Sequence, residues 1–380
     1  MIHFFPRFSK TAADTPYGQA LRETGAEHQI FAAAVTQAYR YRLQLLLLGY
    51  PRLAWTALSM AVKSLLLARP RPDAVVISSD VEALVFALVR LLPFAARPRV
   101  ILMPFIFTER RSPAVNRARL LYYRFVLRSV SCAICHSTLE IERYRALFAG
   151  CGADFAFIPW GTYVPAAAEL LAGEEAPEPD GPARLVTAGR SGRDYPTLAR
   201  AAAALPCRLS IICNEKVALG GVCPGPGIEI LGNCFGRDYL RQLLRAAIVV
   251  VPLRVEEISA GQMVLIQAMA LGRPLIVTRT PTVGDYLEDG VNALLVPRGD
   301  EAAMAAAIRH LLENPAEAAA LGRRAQADYL ARFSGDAHMR SLVQAIERHC
   351  ELRRPLPAPS SRPRLAGRAP GKQLGLPRGG

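Results

Sequence analysis

The segment TAGRSGRDYPTL, residues 187–198, places two guanidinium groups, Arg190 and Arg193, at the end of an apolar run and just before a helical pattern that starts near Asp194. Arginine's planar fork matches phosphate oxygens two at a time, so the pair suits a diphosphate. A second segment, VEEISAGQMVLIQAMALGRPLIVTRT (255–280), runs from an acidic pair through Ser259, Ala260 and Gly261 into a helix, then to Gly272 and a buried strand after Pro274. Ser259 is a good N-cap and Gly272 a good residue just past the helix end. The helix start at Ala260–Gly261–Gln262 then offers unpaired N–H groups and partial positive charge, which suit a phosphate or sugar oxygen. Gly261 lets a ligand approach the backbone closely. Gln267 follows Ser259 by about 12 Å along the helix axis, so one end can meet a sugar and the other a ribose hydroxyl. Glu257, with Glu256, either reaches into this site or solvates a loop. ILGNCFGRDYL (230–240) ends another strand at Gly232 and Asn233.

The front half carries fewer such residues. Glu109 in TERR follows the apolar run VILMPFIF and is either a cleft group or a salt-bridged loop residue. Asp80 ends VVISSD and is either a cleft group or a helix cap. Tyr17 in TPYGQAL opens a helix that would stand beside an acceptor. His136 follows a strand and reads as a positioned core or turn residue. The string CAICH (132–136) fits a haem-attachment spacing, but it alternates like a strand entering a sheet. No G-x-G-x-x-G follows a strand, so no motif points to dinucleotide oxidoreduction. No basic–aromatic platform or reader motif points to nucleic acid.

The elements that must position these residues alternate as strand and helix along the chain. DAVVIS (73–78), RVILMPFIF (99–107), VSCAICHS and FAFIPWG (155–161) read as strands separated by helices, the rhythm of a parallel, doubly wound sheet. PAAAELLAGEEAPEPDGPA (165–183) breaks it. The rhythm restarts with strands at 183–189, 208–213, 228–232, 248–253 and 274–278. The expected organisation is a first domain over 1–164, a linker over 165–183, a second domain over 184–335, a terminal helix over 336–350 packing back on the first domain, and a disordered Pro/Arg-rich tail over 351–380.

Net charge is +14 and unevenly spread: residues 1–130 carry +11, residues 131–350 carry −3 and residues 351–380 carry +6. A basic front half and the amphipathic stretch 39–72 suit an anionic membrane surface or an anionic substrate. No apolar run reaches the length of a membrane span, and MIHFFPRFSK has no signal-peptide pattern. The expectation is a cytoplasmic protein, peripheral at the inner face of the plasma membrane through residues 1–130, with its eight cysteines reduced.

From VVVPL through LIQAMALGRPLIVTRTPTVGDYLEDGVNALLVPRGD to LGRRAQADYLARFS, the chain resembles the donor-binding half of the retaining family 4 (group 1) glycosyltransferases. The resemblance implies the GT-B fold, α/β with two Rossmann-like doubly wound domains facing across a cleft. It implies a nucleoside diphosphate-sugar donor and retention of configuration; the absence of any D-x-D pair points to transfer without a metal or other cofactor, and the charge and the stretch 39–72 point to a glycan or lipid-linked acceptor in envelope or exopolysaccharide biosynthesis. By the same resemblance Arg190 and Arg193 bind the diphosphate, the strand end at Gly232–Asn233 meets the base, and Glu109, Glu257 and Arg190 are the catalytic candidates. The family's paired glutamates are replaced here by Ser259 and Gln267, and its front-half histidine by TERR. Those departures leave a second reading, a catalytically inactive GT-B-like binding or scaffold partner in the same pathway.

Overall fold

The computed structural model describes residues 1–5, 22, 27–30, 49–109, 112–172, 181–256 and 258–351. Tyr17, Glu257 and the tail beyond Glu351 lie outside these residues, as do 173–180 of the expected linker.

Two parallel six-stranded sheets form the scaffold. The first contains β1 (Ile2–Phe4), β2 (His28–Ile30), β3 (Ala74–Ile77), β4 (Arg99–Leu102), β5 (Cys132–Cys135) and β6 (Asp154–Phe157), in the order β2-β1-β3-β4-β5-β6. The second contains β7 (Ala183–Ala188), β8 (Cys207–Ile212), β9 (Ile228–Leu231), β10 (Ile248–Val251), β11 (Leu275–Thr278) and β12 (Leu294–Val296), in the order β12-β11-β10-β7-β8-β9. Helices cover both faces, so the central strands are apolar throughout; VVI in β3, CAIC in β5 and IVVV in β10 are fully buried. Burial pushes the Cys132 thiol up to about 12, consistent with an inert core residue.

The second sheet runs outward in both directions from β7, with β10 and β8 as its neighbours. In a doubly wound sheet the loops leaving the carboxyl ends of two such central strands diverge to opposite faces, and a crevice opens between them. Here the loops that diverge are 189–194, after β7, and 252–261, after β10. The corresponding point in the first sheet lies between β1 and β3.

The apolar run 99–107 supplies a shorter strand than its length suggests. Pro104 has no N–H for the ladder, so β4 stops at Leu102 while Phe105 and Phe107 turn into the core. They pack edge-on against Tyr123, Tyr144 and Phe148 at centroid separations of 5.0–5.7 Å.

The chain crosses between the lobes twice, where Thr162 bridges Ser334. The helix Gly335–Glu351 returns to the first sheet, burying Met339, Leu342, Val343 and Ile346 against Ile2, Phe4, Val76 and Ile101. Polar contacts join the lobes along one side. The Thr138 N–H and hydroxyl donate to Asp285 at 2.9 and 2.7 Å, the Tyr286 hydroxyl donates to the His136 carbonyl at 2.7 Å, and the Trp160 N–H donates to Tyr286 Oη at 2.9 Å.

Candidate functional site

A cavity of about 660 Å³ opens at the carboxyl ends of β7, β8 and β9, bounded by the first turns of the helix Gln262–Ala270. Its polar walls are Arg190, Asn214, Glu215 and Gln267, and its apolar walls include Phe235, Met263 and Val264. Sequence positions 77 residues apart meet here because the strand order brings the loops after β7 and β10 side by side.

Glycine shapes the loops beside the cavity. Gly261 adopts φ 95°, and a Cβ added there would lie 3.0 Å from Val251 Cγ1. Gly192 has φ 65°, and its Cβ would lie 2.3 Å from Val255 Cγ2, so the two loops touch backbone to side chain. The helix begins at Gln262 with Gly261 as its N-cap and no side-chain cap bond. Ser259, expected to cap, stands two residues too early. Its N–H instead donates to Glu140 Oε1 of the opposite lobe at 3.1 Å. The N–H groups of Gln262, Met263 and Val264 are consequently left without intrahelical acceptors. The far end closes as the spacing predicts: the Gly272 N–H donates to Met269 O and the Arg273 N–H to Ala268 O, both at 3.0 Å, a Schellman cap.

The two arginines separate into different roles. Arg190 projects into the cavity with its side chain 71% exposed and an Nη1 to Glu215 Oε1 distance of 2.7 Å. A pair this exposed contributes about 0–1 kcal/mol and yields readily to a stronger anion. Arg193 does not stand in the cavity. It is 4% exposed, folded under its own loop, with Nε donating to Ala188 O and Nη1 to Ser191 O, both at 2.8 Å. Its Nη1 lies 3.7 Å from the point a Cβ on Gly261 would occupy. Burial works against its charge, and a charge held there in low dielectric acts over that short distance on whatever meets Gly261. The reason for the inward turn is local: Gly189 has no side chain, and Arg193 Nη2 fills the space within 2.5 Å of where its Cβ would be.

At the other end of the cavity Gln267 is half-buried and its Oε1 accepts from the Tyr239 hydroxyl at 2.9 Å. That leaves the Gln267 amide N–H₂ to donate to a hydroxyl. Asn233 adopts φ 54°, and its N–H donates to Asn214 Oδ1 at 2.6 Å. Gly232 lies within 3.5 Å of the same oxygen, measured from its would-be Cβ. This turn forms the edge next to Cys234 and Phe235. Gln262 is buried at the first helical position, and its Nε2 has no partner among the described residues. Ala260 is buried in the second-lobe core.

The first lobe's candidates are tied into its own frame. Glu109 pairs with Arg143 at 2.9 Å. Asp80 accepts from the Tyr123 hydroxyl at 3.3 Å, while its neighbour Ser79 caps the helix Asp80–Val89 by accepting from the Glu82 N–H. In the second lobe, Glu256 pairs with Arg298 at 3.2 Å.

Two residues at the join carry more chemistry than their sequence context signals. Glu140, 1% exposed, bridges to Ser259, and burial raises its pKa above the ordinary carboxyl range. His136 is fully enclosed, one nitrogen bonded to Ile158 O at 2.8 Å and its ring edge-on to Trp160 at 4.6 Å; burial lowers its pKa to about 3. The signal for Glu140 was the capping-type spacing in HSTLE, which gives no hint of a partner 119 residues away.

Residues 177–314 match the model of a family described as glycosyl transferases group 1. None of the curated proteins matches the chain by sequence. Among solved structures, sucrose-phosphate synthase from Thermosynechococcus elongatus is similar at TM-score 0.66 and 19% identity, covering 91% of this chain and 98% of its own. A UDP-forming trehalose-phosphate synthase from Burkholderia vietnamiensis is similar at TM-score 0.64 and 15% identity, covering 92% and 97%. HepE from Anabaena, in complex with UDP and glucose, is similar at TM-score 0.56 and 16% identity, covering 91% and 99%.

Proposed function

We propose, from the premise that the chain is a group 1 glycosyltransferase with the GT-B fold, that it transfers a sugar from a nucleoside diphosphate donor seated at the β7/β10 crevice to a glycan or lipid-linked acceptor held by the first lobe. The observation that carries the reading is the cavity beside that crevice, lined by Arg190, Gln267 and the helix-start residues Met263 and Val264, with Arg193 buried behind the adjacent Gly261. A structural relative binds UDP and UDP-glucose, which supports the donor class.

In this reading the nucleobase lies along Gly232–Asn233 and Phe235, and the ribose meets the Gln267 amide, oriented by Tyr239. The diphosphate sits over Gly261, with Arg190 released from Glu215 to meet it. Negative charge grows on the diphosphate as the bond to the sugar breaks. Donors already aimed at that charge lower the barrier without reorganising. Transfer proceeds with retention, through an oxocarbenium-like state, and without a metal. The acceptor belongs to envelope or exopolysaccharide assembly, with the basic first lobe in peripheral contact with an anionic membrane.

The test is a melting series of the full chain with UDP, GDP, ADP and dTDP, followed by product analysis with the sugar form of the stabilising nucleotide. At least one should raise the melting temperature, since a ligand at about 100 times its Kd adds about 2.7 kcal/mol. Four flat melting curves with no sugar released or transferred would end the proposal. Binding without transfer to any glycan would favour the scaffold reading.

A further inference from the structure

A second cavity, of about 620 Å³, lies at the amino ends of β3 to β6, at the opposite end of the first sheet from the lobes' shared crevice. Four arginines line it: Arg90, Arg97, Arg99 and Arg128. Two carboxylates share the wall, and each has a cation of its own. Asp73 accepts from the Met1 ammonium at 2.7 Å; Asp154 lies 3.6 Å from Arg145 and 3.3 Å from His349 Nε2. Among the described residues Arg97 and Arg128 meet no hydrogen-bond acceptor or carboxylate. The cluster is crowded with like charge: beyond burial, Arg97 and Arg99 both work against the charge of Arg90. Four guanidiniums gathered in one concavity cost stability through repulsion, and a bound anion would relieve that cost.

The rim says which anion. Arg90 and Arg97 bracket the loop Leu91–Ala96, which presents Leu91 at 72% and Phe94 at 63% exposure. The Ala96 N–H donates to Leu65 O at 2.8 Å and pins this loop to the helical segment Val62–Leu67, whose exposed end adds Leu67. Exposed Lys63, Arg69 and Arg71 lie on the same segment or just beyond it. Large apolar side chains standing between Arg90, which donates to the Ser129 carbonyl, and the unpartnered Arg97 match a bilayer interface, where the chains enter the acyl boundary and the cations meet headgroup phosphates.

We propose that this end of the first lobe is the membrane-docking face, with the cavity of Arg90, Arg97, Arg99 and Arg128 receiving the phosphate of an anionic phospholipid and the Leu91–Phe94 loop entering the lipid around it. The inference rests on the peripheral membrane contact put forward above and names its site. It also separates anchoring from catalysis, because the cavity and the donor crevice sit at opposite ends of the strands.

Co-sedimentation of the full chain with vesicles of phosphatidylglycerol in phosphatidylcholine, against phosphatidylcholine alone, tests it. The wild type should pellet with the anionic vesicles and not with the neutral ones. Each basic side chain near an anionic surface is worth about 1 kcal/mol, so Arg97→Ala with Arg128→Ala should weaken binding about 30-fold; Leu91→Ala with Phe94→Ala should weaken it independently. Nucleotide-dependent melting, unchanged in these variants, reports that the fold and donor site are intact. Anionic vesicles that bind the wild type and the arginine variant alike would place the contact elsewhere and overturn the assignment. So would a site that takes inorganic pyrophosphate from solution, seen as an Arg97- and Arg128-dependent melting shift, while ignoring vesicles. If the wild type binds anionic vesicles through these residues but no nucleotide moves its melting temperature, the donor reading fails and this one stands.

Discussion

The carboxyl ends of the two sheets face each other and use their polar residues differently. At the second lobe's end, Arg190, Gln267 and the helix-start residues Met263 and Val264 border a cavity, and the glycines at 189, 192 and 261 let the loops beside it pack closely on Arg193, Val255 and Val251. At the first lobe's end the polar groups close on the protein itself: Ser78 Oγ donates to Phe5 O across the β1/β3 point at 2.9 Å, Asp80 takes Tyr123, and Glu109 takes Arg143. The Glu140 side chain and the His136 backbone carbonyl go further and bond to the second lobe, while the His136 ring is enclosed behind that carbonyl. Two folds of one kind therefore differ at their rims, one left open at a cavity and, on the proposed function, serving ligand, the other closed into the joint. First-rim changes should register in stability, second-rim changes in affinity.

The largest test of that division is His136→Gln. His136 stays neutral in the fold down to about 3, whereas the unfolded chain takes up a proton below 6.5. As pH falls through that window the unfolded state binds more protons and stability drops, by up to about 1.4 kcal/mol per pH unit. Melting temperatures across pH should show this acid limb in the wild type and a shallower one in the variant, the remainder coming from His338 and His3, whose pKa burial also lowers, with nucleotide affinity at pH 7 unchanged. An affinity collapse at constant stability would break the comparison.

Next in size is Arg190→Ala. Loss of hydrogen bonds to a charged group, about 1.5–3 kcal/mol, should weaken nucleoside diphosphate binding about 10- to 150-fold by calorimetry, while the melting temperature without ligand holds. Glu140→Gln should act in the opposite currency. Its raised pKa means the fold binds that proton more tightly than the unfolded chain, so ionisation costs stability as pH rises through the shifted value. The glutamine, still an acceptor for the Ser259 N–H, should melt higher than wild type at pH 8 and no higher at pH 4. The smallest effect is expected for Glu215→Gln, which frees Arg190; affinity for a diphosphate should rise by about fivefold at most, within the worth of an exposed ion pair. Glu109→Ala should leave that affinity alone, and a loss there would move the first rim into the site.

Much of the second lobe was legible because its signals are local. Apolar runs at 183–188 and 248–251, the Asp194 cap, and the Gly272 closure each fix an element within a few residues. Local patterning was less informative in the first lobe. β1 and β2 are three residues each and each contains a histidine, too short for a periodicity to show. Pro104 cut a nine-residue apolar run to a four-residue strand. The cap at the key helix moved from Ser259 to Gly261, since a glycine at φ 95° ends the incoming loop more compactly than serine could and frees Ser259 for the other lobe.

The sequence by itself determined the alternation of strands and helices, the two guanidiniums after β7 and the helix that faces them, because backbone propensity, capping and apolar period act over a few residues. Only the tertiary structure decided that Arg190 enters the cavity while Arg193 turns beneath it, that Glu140 reaches Ser259 from the opposite lobe, and that four arginines from separate loops share one concavity. Those outcomes depend on strand order, which sets residues tens to hundreds of positions apart within a few ångströms, and on burial, which decides what each charge costs and where it can point.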